Sequence, residues 1–150
     1  MKEITLINIT GEDKPGLTAS LMAILSQHQV TILDMGQAVI HQSLALGLLV
    51  EVPAHNAENP VLKDLLFHLH EQKLQAQFTP VSAESYESWV ALHGKPRFII
   101  TLLARRITAE HIARVAQLTQ RFDLNIEDIQ RLSGRISLRE EQEDSKGCFE

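Results

Sequence analysis

Apolar and polar positions alternate between strand-like runs and helix-like stripes along this chain, and the order of the runs predicts a fold. Residues 3–10 (Glu3-Ile-Thr-Leu-Ile-Asn-Ile-Thr10) are β-branched and apolar, as in a buried strand. Gly11-Glu-Asp-Lys-Pro-Gly16 then breaks the run with two glycines and a proline. Leu17, Leu21, Ile24, Leu25 and His28 follow at helical spacing and form one amphipathic stripe. Residues 30–41 and 44–52 read as two strands of a hairpin that turns at His41-Gln42-Ser43, and Pro53 closes the second. Asn59 and Pro60 are a helix-start pair, a cap followed by a proline suited to the first helical position. Val61, Leu62, Leu65, Leu66, Leu69 and Leu74 supply the second apolar stripe, and Gln77–Val81 a short last strand. The order is βαββαβ, an α+β, ferredoxin-like arrangement with two helices on one face of a four-stranded antiparallel sheet.

The pattern then restarts. Residues 82–96 read as a linker, although Tyr86 and Trp89 within it point to packing against something. Residues 97–104 read as a strand, Thr108 as a helix N-cap, and Ile112, Val115, Ala116, Thr119 and Phe122 as a helical stripe. Leu124 begins a further strand. A constant offset of 94 maps Ile4 onto Phe98, Leu21 onto Val115, Val30-Thr-Ile32 onto Leu124-Asn-Ile126 and Asp34 onto Asp128, with no gap over those 31 positions. The division expected is a first domain at 1–81, a linker at 82–96, and a partial second repeat at 97–150. The counterpart of the helix at 58–76 would fall beyond residue 150, so the sequence predicts a continuing polypeptide or another chain covering the unfinished edge.

Composition narrows the function classes. With 44% hydrophobic residues the chain can bury a core, and a net charge of −5 argues against a duplex nucleic-acid binder. The basic candidates Lys95, Arg97, Arg105 and Arg106 flank a strand and form no run. No apolar stretch approaches the length of a membrane span, and the N-terminus lacks the pattern of a signal peptide. The lone Cys148 makes no internal disulfide, which suits a cytoplasmic location.

The informative chemistry lies between the first strand and the first helix. Backbone N–H groups at a helix start favour a carboxylate or phosphate, Gly16 permits close approach, and Asp13 offers a partner for an ammonium group. Those features together suit an α-amino acid. The competing reading is a plain tight turn with Asp13 as the helix N-cap. The segment is not a phosphate-binding Walker loop, because Leu17-Thr18 replaces the Lys-Ser/Thr pair. His68 and His70, two apart on a helix, face different sides and read as surface histidines. Ser43 and Ser133 sit in no nucleophile context, Asp34 and Asp128 read as exposed strand-start residues, and the charged run 139–146 as a solvated loop. No metal site is expected.

The segment Gly11–Thr18 after an apolar strand resembles the opening of an ACT domain. Val30–His41 with Leu44–Val50, and Ala104–Glu110 with Leu124–Ser133, are similar to the N-terminal regulatory region of bacterial ACT-containing phosphoserine phosphatases. The resemblance covers nearly the whole chain. It implies a regulatory role in the last step of serine biosynthesis, with L-serine as effector. It also implies homodimerisation through ACT sheets or helices, and ligand-facing residues at Asp13, Lys14, Pro15, Gly16 and Leu17. The family's catalytic domain is of the haloacid dehalogenase type, so Mg²⁺ is expected there and no cofactor in this chain. Two departures stand out. No Asp-x-Asp occurs, so the chain lacks the family's nucleophile and general acid. The second repeat has Arg105-Arg-Ile-Thr-Ala-Glu110 where the first has its Gly/Pro loop. The alternative is a stand-alone tandem ACT regulator acting by protein contact, like repressors of glycine cleavage genes. A small complete enzyme finds no catalytic constellation to support it.

Overall fold

The computed structural model describes residues 2–53, 60–92, 96–133 and 147–149. The chain divides into two compact units, residues 1–94 and 95–150. The first runs β1 (Lys2–Glu12), α1 (Leu17–Gln27), β2 (Thr31–Ile40), β3 (Ser43–Pro53), α2 (Pro60–Glu71), β4 (Gln75–Val81) and α3 (Ala83–Leu92). The four strands form one antiparallel sheet in the order β2-β3-β1-β4, so the α+β, βαββαβ reading holds.

Alternation along the strands decides where the core lies. Thr5, Ile7 and Ile9 of β1 and Leu44, Leu46, Leu48, Val50 and Val52 of β3 all point to the face that carries the helices, and all are buried. Against them α1 sets Leu17, Leu21 and Leu25, and α2 sets Val61, Leu65 and Leu69. Each fully buried Leu or Ile stabilises the fold by about 1.5–3 kcal/mol. Two polar bridges join the helices: His28 Nε2 to Asp64 Oδ2 at 2.9 Å, and Ser20 Oγ to His68 Nε2 at 2.9 Å.

Four expectations change. β1 runs two residues further than 3–10, because Gly11 pairs with Leu44 and Glu12 with Ser43, which shortens the turn to Asp13–Gly16. Leu66, read as core, is 49% exposed, since one helix face already fills the space over the sheet with Val61, Leu65 and Leu69. The stretch read as a linker holds α3, in which half-buried Tyr86 and Trp89 meet at a ring separation of 6.0 Å. His68, read as a surface residue, is half-buried against α1, whereas His70 is exposed, so the two do face different sides. The expected cap Asn59 lies outside the described residues, while Pro60 opens α2 as expected.

The second unit contains β5 (Leu102–Ala104), α4 (Ala109–Arg121) and β6 (Gly147–Phe149). The strand read at 97–104 is realised only in its last three residues, and 124–130 form no regular strand. A strand needs a ladder partner, and among the described residues only β5 and β6 supply one to each other. Leu102 stands at the place of Asn8 by the offset of 94; Asn8 pairs with Gly47, and Leu102 with Phe149. β5 and β6 make a two-stranded ladder of three residue pairs.

Candidate functional site

The site is built where β1 ends, α1 begins and the β2–β3 turn comes alongside. Asp13 donates its backbone N–H to the carbonyl of Gln42 at 2.8 Å, which ties the loop to the two-residue turn His41-Gln42. His41 sits at φ 58°, the left-handed conformation that such a tight turn demands. On the other flank, Thr18 Oγ1 donates to Gln37 Oε1 at 2.9 Å, which fixes the first turn of α1 against β2. Two glycines have separate duties. A Cβ on Gly11 would run into the Leu74 side chain, so this position lets β1 and the start of β4 close together. A Cβ on Gly16 would meet nothing, but Gly16 sits at φ 84°, where L side chains are strained.

Gly16 is the N-cap of α1. Glycine has no side-chain oxygen to accept the N–H groups of the second and third helical residues. Ser20 N–H reaches Gly16 O at 3.0 Å and Leu17 N–H reaches Lys14 O at 3.3 Å, but among the described residues Thr18 and Ala19 N–H find no backbone acceptor. The reading in which Asp13 caps this helix is therefore set aside. α1 starts with donors and a positive dipole end facing outward. Asp13, Lys14, Pro15 and Gly16 are exposed around that end, with one carboxylate and one ammonium within the same short turn. Leu17 differs: its side chain is 5% exposed and belongs to the core, so it anchors the loop from below.

The equivalent helix in the second unit begins differently. Thr108 is the N-cap of α4, as the sequence indicates. His111 Nδ1 accepts the Thr108 N–H at 3.0 Å, and the Thr108 side chain accepts the His111 N–H in return. Here the chain supplies its own reciprocal cap, with a histidine in the role often filled by glutamate. The preceding Arg105 and Arg106 are exposed. Sequence reasoning saw the missing glycine and proline but not this His111 contact, whose only trace was its spacing of three from Thr108.

The remaining candidates do not gather into a second site. Ser20 gives its hydroxyl proton to Leu17 O at 2.8 Å, so His68 Nε2 is the donor in the contact between them, the reverse of an activated nucleophile. Asp34 Oδ1 accepts the neighbouring Met35 N–H at 2.8 Å, and Asp128 Oδ2 accepts from Gln130 at 2.7 Å. Ser133 accepts from Arg131 Nε at 3.1 Å, and Ser43 is exposed at the start of β3. Arg97 is exposed and paired with Glu127 at 3.8 Å, while Lys95 lies outside the described residues. Among the described residues no three His, Cys, Asp or Glu side chains converge as metal ligands, and no helix is long and apolar enough to cross a membrane.

The model of the ACT domain family matches residues 3–79, from the second residue of β1 through most of β4. The chain belongs to the ACT domain family. Similarity to curated relatives continues past that domain. The chain is 32% identical over 133 residues to phosphoserine phosphatase SerB2 of Mycobacterium tuberculosis, covering 88% of this chain and 31% of that protein. It is 29% identical over 128 residues to the phosphoserine phosphatase of Streptomyces coelicolor, covering 85% of this chain and 30% of that one. The chain thus spans about a third of the length of these relatives. Among solved structures, a protein assigned as a glycine cleavage system transcriptional repressor superposes with a TM-score of 0.57 at 13% identity, covering 99% of this chain and 78% of that one. At that identity the likeness speaks for the ACT fold.

Proposed function

We propose that this chain is an amino-acid-binding regulatory region of a phosphoserine phosphatase, with L-serine as its effector. The observation that carries the reading is the uncapped start of α1, in a chain similar over most of its length to two phosphoserine phosphatases. The α-carboxylate takes the outward N–H groups of Thr18 and Ala19 across Gly16, in the place of a capping side chain. The α-ammonium pairs with Asp13. Lys14 and Pro15 shape the approach, and two copies of the chain associate so that a neighbouring surface closes the otherwise open loop. The chain contains no Asp-x-Asp, so phosphoserine hydrolysis and its Mg²⁺ belong to a catalytic domain outside these 150 residues, in the cytoplasm.

Calorimetric titration with L-serine tests this, with glycine and L-alanine for comparison. The expected result is saturable heat with L-serine that disappears in Asp13→Ala. Absence of heat and of thermal stabilisation at millimolar L-serine overturns the effector assignment.

A second reading is a stand-alone tandem ACT regulator that works through protein contact. The superposition over 99% of this chain on the structure assigned as a glycine cleavage repressor favours it. The coding sequence after residue 150 separates the two. An Asp-x-Asp-x-Thr motif there supports the phosphatase, and a stop codon after a completed second repeat supports the regulator.

A further inference from the structure

We draw no further inference here: the strongest candidate, the exposed apolar surface of the second unit carried by Ile99, Leu103 and Phe122, has nothing in the structure to show what covers it.

Discussion

Asp13 and Gln42, 29 positions apart, are joined backbone to backbone at 2.8 Å, so the loop at the start of α1 takes its position from the tip of the β2–β3 hairpin. Inserting two glycines between His41 and Gln42 is expected to break that contact and leave the sheet register intact. One lost hydrogen bond costs about 0.5–1.5 kcal/mol. Amide exchange at Asp13 should accelerate while exchange within β1 and β3 stays slow. If Asp13 keeps its protection, the hairpin tip is not what holds the loop.

Gly16→Ala separates backbone strain from crowding, because a Cβ there has open space and the left-handed φ of 84° is the only obstacle. The expected destabilisation is about 1–2 kcal/mol, read from urea denaturation. Gly16→Asn, better tolerated in that conformation, should lose less. Equal losses in the two variants would contradict the conformational account.

Gly11→Ala adds crowding to backbone strain, since Gly11 sits at φ 155°. The new methyl meets Leu74, and overpacking of this kind costs about 1–3 kcal/mol. Combining it with Leu74→Ala should give a loss smaller than the sum of the single losses, since the two residues share one space. Strict additivity in the double-mutant cycle would sink the argument.

Truncating α2 should expose how sharply its faces differ. Leu65→Ala is expected to cost about 2–5 kcal/mol, and Leu66→Ala no more than about 0.5 kcal/mol. The first is fully buried and the second 49% exposed. Chemical denaturation of both variants under one set of conditions checks the ratio.

Binding should be asymmetric between the copies. α4 is capped from within by Thr108 and His111, whereas α1 begins at a glycine. One amino acid per chain is the expected stoichiometry by calorimetry, and two equivalent sites per chain would refute it.

How much of the fold is legible in the sequence follows from what each element depends on. Ile7, Ile9 and the alternating Leu44–Val52 announce strands because their burial is written as a period of two, and α1 and α2 show a period near 3.6. α3 buries none of its side chains, so Ala83–Leu92 carries no stripe to betray a helix. In the second unit Ile99 and Leu103 stand at the places of Thr5 and Ile9 by the offset of 94. They are 77% and 74% exposed, where their counterparts are 7% and 0%. An apolar run records a preference for burial; whether a neighbour satisfies it depends on the rest of the fold. The glycines and proline mark the loop in the sequence. The choice between a capping Asp13 and an open helix start rests on backbone geometry at Gly16, which sequence spacing does not contain.

The glycine start of α1 leaves the N–H groups of Thr18 and Ala19 without a backbone acceptor among the described residues. In α4 the N–H groups of Thr108 and His111 are served by groups of the same short segment, present at every moment at the same effective concentration. In α1 the protection of Thr18 and Ala19 should rise with whatever anion the medium provides. Exchange at those two amides, followed against added carboxylates of different shape, would rank them by affinity whichever one the cell supplies. Protection that rises with added carboxylate would make the first turn of α1 a gauge of the protein's surroundings.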